Sequence, residues 1–359
     1  MTVGEDARLE MPVDQYQRYR VAADLAAGLG VGGGARVLEV GGGPGPLEAF
    51  FPDNETLVSD IEGTHAGRFL VADGAALPFG DESMDVVVTL DSLEHVPVAR
   101  RESFLRELRR VTADVVLLCA PFDSADVRTA ESAVREFVSV RFGAGLETMR
   151  WLGEHLEHGL PDLAATVESF ATAGWAVATL PSGYLPRWLG VMLVDHELLA
   201  TGVGHLGKLH AFYNATMSPS DCREPSYRHF IVASRGRPES ELGTTVGRIA
   251  SSEDSTTGRT ALAALASFVF SQRLDAVVRT DASHRALDDE ARVSRDLERV
   301  VADRDARIGE LVRFLDQVRI ERDHAVLAER QAVSRSRMLG IPYGLRRLSA
   351  HLAKKESDR

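Results

Sequence analysis

The sequence predicts an α/β fold: a parallel sheet of short strands covered by helices, with a ligand site at the strand ends. Three observations carry this prediction. Apolar runs rich in Val, Leu and Ile (ARVLEV, TLVSDI, RFLVAD, MDVVVTL and DVVLLCA) alternate with stretches of helical periodicity, the rhythm of a sheet buried on both faces. The first run leads straight into Gly41-Gly42-Gly43-Pro44-Gly45, a turn in which the backbone can approach a ligand that a Cβ would repel. The second and third runs end in Asp60 and Asp73, at the carboxyl edge where open α/β sheets bind ligands.

Taken in order, residues 14–29 place Tyr16, Tyr19, Ala23, Ala26 and Ala27 at helical spacing before a break at Gly30 to Gly34, so an entry helix precedes the first strand. A helical stretch follows Pro121 to about Leu160. PDLAATVESFATAGWAVATL then reads as helix, glycine turn and strand, and YRHFIVASRG as a further strand. Between these two strands an insertion over about 183–226 holds Trp188, Met192, His196, His205 and His210. Such insertions shape pockets beside a sheet edge.

The domain is expected to span 1–237. Residues 238–260, rich in Ser, Thr, Gly, Glu and Arg, read as a linker. From 261 to 337 the pattern is helical, with Leu297, Val301, Ile308, Leu311, Leu315 and Val318 approximating a heptad seam on which Arg304 and Arg322 also fall. This suggests a coiled coil and a homo-oligomer, against a solitary or intramolecularly packed helix pair. The tail 338–359 places Ile341, Leu345, Leu348 and Leu352 on one face near Arg346, Arg347, Lys354 and Lys355. Peripheral membrane contact and a solvated basic helix are equally compatible with it.

Composition narrows the function. The 359 residues, 44% hydrophobic, suffice for a full core, and the net charge of −12 disfavours a nucleic-acid partner. Only Cys119 and Cys222 are present, Cys119 within the apolar VVLLCAPF, so no disulfide framework is expected. No basic region followed by an apolar one opens the sequence, and no run reaches the roughly 20 apolar residues of a membrane span. A cytoplasmic location is the simplest expectation.

The glycine turn is the most informative motif. A nicotinamide dinucleotide site wants G-x-G-x-x-G, but counting from Gly41 and Gly43 puts Pro46 at the third glycine. The spacing present, Glu39, Gly41, Gly43 and Gly45, suits a cofactor without a pyrophosphate, whose amino-acid tail and sugar the turn cradles. Glu39 would anchor an ammonium, directly or through water. Asp60, with Ile61 beside it, lies 21 residues after Glu39, where a carboxylate accepts both ribose hydroxyls. Asp73, followed by Gly74 and Ala75, can accept from an adenine amino group.

VLEVGGGPG, VSDIEG, VADGAALPFGDESMDVVVTLDSLEHVP and FLRELRRV resemble the successive motifs of class I S-adenosylmethionine-dependent methyltransferases, over about residues 36–111. DQYQRYRVA, DSLEHVP and LGEHLEHGLPDL resemble, less specifically, methyltransferases that accompany glycosyltransferases in bacterial surface-polysaccharide assembly. The resemblance implies a Rossmann-like sheet of seven strands, the last antiparallel, here YRHFIVAS beside GWAVATL. It implies S-adenosyl-L-methionine as cofactor, held by Glu39, Gly41, Gly42, Gly43, Gly45, Asp60, Ile61, Asp73, Gly74 and Ala75. Asp91, Ser92 and Leu93 would lie near the methionine moiety or adenine, with His95 facing the reacting region. One departure is Val111-Thr112-Ala113-Asp114, where the family usually has Gly-Gly.

Methyl transfer is an in-line displacement at an activated sulfonium, so alignment and water exclusion matter most, and a hydroxyl acceptor must also lose a proton. His95, His155 and His158 are the candidate bases, with Glu154 beside His155. His95 is equally readable as a helix-start residue. His155 and His158, three apart, also fit a solvated helix face or a divalent metal, and no metal ligand set is assigned. Trp188 could stack on a sugar with Arg187 holding a phosphate or carboxylate, or simply pack in the core. The expected activity is O-methylation of a sugar or glycan intermediate. The alternatives are methylation of a small metabolite or lipid head group, and an inactive scaffold of a polysaccharide-assembly complex. A base methyltransferase is disfavoured because no Asn-Pro-Pro-aromatic tetrapeptide follows the fourth strand.

Overall fold

The computed structural model describes residues 5–43, 45–63, 68–142, 150–201, 206–250 and 290–338. His205, the stretch 261–289 and the basic tail from 339 onward lie outside the described residues. Two units are distinguished, Met1–Ser294 and Arg295–Arg359.

Strands β1 (Arg36–Val40), β2 (Glu55–Asp60), β3 (Phe69–Val71), β4 (Met84–Leu90) and β5 (Thr112–Pro121) are parallel, and β7 (Ser226–Ser234) runs antiparallel between β5 and β6 (Ala176–Tyr184). The order is β3-β2-β1-β4-β5-β7-β6. The strand order reverses on going from β1 to β4, which opens a crevice at their carboxyl ends.

The two-residue period of a strand explains why the runs are apolar throughout. Val37, Val86, Val88, Val115, Leu117 and Cys119 enter the core on one face, while Leu38, Val87, Val116, Leu118 and Ala120 enter the core on the other. The first core is closed by α2 (Val13–Gly28) and the short α3 (Leu47–Phe50), and the second by α4 (Val98–Val111) and α7 (Leu163–Thr172). Helix α4 passes into β5 without a loop, and Thr112 Oγ donates to Leu108 O at 2.6 Å. This is the place where the family resemblance led one to expect two glycines.

Among the described residues of this unit, further α-helices are α1 (Glu5–Leu9), α5 (Ala125–Phe142), α6 (Arg150–His158), α8 (Leu185–Thr201), α9 (Leu206–Thr216) and α10 (Glu239–Ile249). The insertion is therefore the helical pair α8 and α9. Arg187 does not reach out to a ligand as the sequence suggested. It is buried, with Nη1 donating to Asp221 Oδ1 at 2.6 Å and to Ser220 Oγ at 2.9 Å, while Tyr213 donates to Asp221 Oδ2.

Helix α10 corrects the expected linker and moves the domain boundary beyond 237. Its few apolar residues, Leu242, Val246 and Ile249, recur at helical spacing and pack on the core beside α2. The preceding Arg237 clamps the chain, donating from Nη2 to Asp114 Oδ2 at 2.6 Å and from Nη1 to Leu29 O at 2.5 Å. Of the Ser, Thr and Gly residues that read as a linker, Ser240, Gly243, Thr244 and Gly247 are exposed, while Thr245 is buried against Gly28 of α2.

In the second unit, α11 (Glu290–Met338) is one continuous helix of 49 residues, about 70 Å long. Of the anticipated seam, Ile308, Leu315 and Val318 are buried; off the seam, Ile320 and Leu327 are exposed. No helix among the described residues is long and apolar enough to cross a membrane.

If α10 belongs to the folded domain, Leu242→Ala costs about 2–4 kcal/mol. The change is read as a lower urea midpoint at unchanged slope; an unaltered midpoint would return this stretch to the status of a linker.

Candidate functional site

The site is built on the turn after β1. Gly41 has φ 78°, and a Cβ there would sit 2.4 Å from Ser92 Oγ; only glycine lets the turn pass this close to the end of β4. Gly43, at φ 49°, turns its N–H toward β2 and donates to Asp60 Oδ2 at 2.8 Å. Glu62 N–H lies 3.3 Å from Asp60 Oδ1. Turn and carboxylate are thus fastened together, with lone pairs on both oxygens left for a ligand.

Glu39 takes a different position from the one its motif suggested. It is fully buried beneath the turn rather than on the cavity wall, and Tyr19 of α2 donates to its Oε1 at 2.5 Å. Oε2 is buried with no hydrogen-bond partner. Burial pushes the Glu39 carboxyl up to about 7, against the lowering effect of the Tyr19 bond and of Arg18.

A cavity of about 310 Å³ opens over the turn, walled by Gly41, Asp60, Ile61, Asp73, Gly74, Ala75, Asp91 and Ser92, with His95, Arg100 and Glu154 at one side. Asp73 accepts from Ala75 N–H at 2.9 Å and from Arg100 at 2.5 Å, and these bonds hold its carboxyl below the usual range. Ile61 is largely exposed at the mouth. Gly42, Gly43 and Gly45 shape the turn from behind, and Leu93 turns away entirely: its side chain is buried in the core beside α4.

A second cavity, of about 240 Å³, shares Asp91 and His95 with the first. Between them Asp91, at φ 53°, receives Arg228 of β7 at 2.5 Å and Arg18 of α2 at 2.9 Å. Although burial opposes ionisation, the two guanidiniums keep its carboxyl well below the usual range. Trp188 and Tyr227 stack with centroids 3.6 Å apart, and Trp151 and Met192 complete the apolar lining.

Three of the four residues considered for proton transfer, His95, His155 and Glu154, line the cavities at this junction. His95 Nδ1 lies 2.7 Å from Glu154 Oε2, close but not aligned as a hydrogen bond, and the His95 and His155 rings are 5.1 Å apart. Burial, with His155 adding to it, lowers the His95 pKa. His155 Nδ1 lies 2.8 Å from Glu131 Oε1, which also accepts from Tyr227. His158 lines neither cavity. Of the insertion histidines, His196 bonds Met192 O and His210 bonds Asp195.

Sequence reasoning missed Arg18, Glu94, Glu131, Trp151, Tyr227 and Arg228. The signal for Arg228 was present: an Arg inside YRHFIVAS, a strand otherwise fit for full burial, requires a buried acidic partner.

A glycine turn after β1, acidic residues at the ends of β2 and β3, and a cavity over them define an α/β domain of the kind that holds a nucleoside-bearing cofactor. Residues 26–119 match the methyltransferase domain family. An uncharacterized methyltransferase of Mycobacterium sp. (strain KMS) is 37% identical over 91 residues, 22% of this chain and 35% of that protein. One of Mycobacterium tuberculosis (strain ATCC 25177 / H37Ra) is 36% identical over 92 residues, again 22% and 35% of the two. The chain thus spans about a third of the length of the curated relatives it matches. Among solved structures, the Burkholderia thailandensis 1,6-didemethyltoxoflavin-N1-methyltransferase, with bound 1,6-didemethyltoxoflavin and S-adenosylhomocysteine, shares 13% identity over 60% of this chain and 77% of its own, at a TM-score of 0.34.

Because the folded state raises the Glu39 pKa from 4.5 to about 7, it favours the protonated carboxyl. The associated stability is complete below pH 4.5 and is lost as pH rises through 7, a change of about 3 kcal/mol. Glu39→Gln is expected to flatten this decline, measured as urea midpoints between pH 5 and 8 without ligand. Parallel declines in both proteins would refute the assignment.

Proposed function

We propose that this chain is an S-adenosyl-L-methionine-dependent methyltransferase that methylates an oxygen of a sugar or glycan intermediate. The observation that carries the reading is the pair of cavities meeting at Asp91 and His95, an arrangement in which a cofactor on the glycine turn would face a ligand on the aromatic wall. The methyltransferase-domain match over 26–119 supports the same reading.

The residues present fit this cofactor. Glu39 Oε2 is an orphaned buried acceptor under the turn, suited to favour an ammonium above it. Gly41, where a Cβ would strike Ser92, lets the turn lie close against the end of β4 in the cavity wall. Asp60 would hold the ribose and Asp73 the adenine amino group, with Ile61, Gly74 and Ala75 as the apolar bed. When bound, the sulfonium supplies an already activated methyl group.

The chain's own work is alignment and exclusion of water. Trp188, Tyr227 and Trp151 offer ring faces for a sugar, while Asp14, Asp91 and Glu94 line the same cavity with hydroxyl acceptors. Proton removal from the acceptor is assigned to the cluster of His95, His155 and Glu154. The helix α11 is read as a self-association seam through Ile308, Leu315 and Val318, and the tail beyond it as a membrane or partner contact.

Calorimetric titration with S-adenosylhomocysteine tests the cofactor site. Wild type is expected to bind in the micromolar range, and Asp60→Ala or Gly43→Arg to weaken binding more than about tenfold, or 1.4 kcal/mol. No binding by folded wild type would sink the enzyme reading in favour of a scaffold.

A further inference from the structure

Glu94, His95 and His155 each bring a donor atom to one end of the second cavity, and these atoms lie within 4.8 Å of one another. Two of these residues, both buried, carry an unpartnered polar atom. Glu94 Oε2 and His155 Nε2 are buried with no hydrogen-bond partner, in residues only 1% and 5% exposed. A carboxylate oxygen without a donor in a buried wall is costly. The neighbouring guanidiniums of Arg18 and Arg228 give it no hydrogen bond, being turned to Asp91.

The imidazoles are arranged for ligation. Each has Nδ1 against a carboxylate: His155 at 2.8 Å from Glu131, and His95 at 2.7 Å from Glu154. At His155 the Glu131 bond holds the proton on Nδ1 and leaves the lone pair on Nε2, which is how histidine ligands of metals are oriented, and a small rotation of His95 brings its Nδ1 into line with Glu154 in the same way. Nε2 of His95 lies 3.9 Å from Glu94 Oε1. Donors around a tetrahedral zinc stand about 3.4 Å apart, so small side-chain rotations close the set.

We propose that Glu94, His95 and His155 form a binding site for a divalent first-row metal ion, of the zinc class. One carboxylate and two imidazoles are borderline ligands that suit such ions and leave at least one coordination position toward the cavity for water or a ligand oxygen. The site stands on these donors and not on the methyl-transfer reading. Where both hold, the open position is the place of the acceptor oxygen, and the imidazoles hold the cation instead of taking the proton. His158, the helical partner that sequence spacing offers to His155, has no part in the site.

The test is calorimetric titration of the chelator-stripped full chain with zinc chloride alone, beside the S-adenosylhomocysteine titration of the same preparation, so that the two readings fail separately. One ion per chain is expected, at micromolar or tighter affinity. Binding should weaken at least about a hundredfold in Glu94→Gln and His155→Gln, about tenfold in Glu131→Gln, and not at all in His158→Gln. The cobalt-loaded wild type, in which visible absorption reports imidazole ligation, keeps the test decisive if a variant misfolds. Absence of saturable binding, a cobalt spectrum without imidazole ligation, or equal affinity in folded Glu94→Gln overturns the proposal.

Discussion

Asp91 binds two guanidiniums at once, and the architecture of the site follows from that. Arg18 arrives from the entry helix, Arg228 from the antiparallel strand at the far side of β5, and Asp14 lies 3.7 Å from Arg228. A buried charge cluster earns little net stability over an apolar alternative, but removing one member strands the others at about 3–5 kcal/mol. The cluster therefore fixes where α2 and β7 sit relative to the end of β4. Asp91 also lines both cavities, so the residue that locks the fold stands where the two cavities meet.

How much of this was legible in the sequence depended on how local each cause is. β1 to β5 are written in continuous apolar runs because each strand is covered on both faces, and Asp60 is marked by its place after β2. Gly41 and Gly43 announce a turn through their own backbone freedom. By contrast, Arg18 and Arg228 find Asp91 across 73 and 137 residues, and no spacing rule reports such a meeting. Leu93 and Glu39 show a subtler limit: a motif gives the chain position correctly but not which way the side chain turns. α10 was hidden because three apolar residues among Ser, Thr and Gly satisfy one helix face and still look like a linker.

The described domain also divides by origin of its contacts. The glycine turn, Asp60, Asp73 and Asp91 all lie within the segment that matches the methyltransferase domain family. Trp151, His155, Trp188, Met192, Tyr227 and Arg228, which wall the second cavity, all lie beyond it. α6, α8 and β7 supply these residues, each borrowed from an element with its own packing duty. Such a division lets one half of the crevice stay fixed while the other is recast by substitutions on helices that insert beside the sheet.

The buried Glu39 gives the turn a chemical memory of what lies above it. Held near neutrality by burial, with Tyr19 on one oxygen and nothing on the other, it is poised between two charge states. A cationic group settling over the turn favours the ionised form, so occupancy near pH 7 expels a proton from the protein. Heat measured on binding would then carry the ionisation enthalpy of the buffer, making ligand capture and proton release a single thermodynamic event.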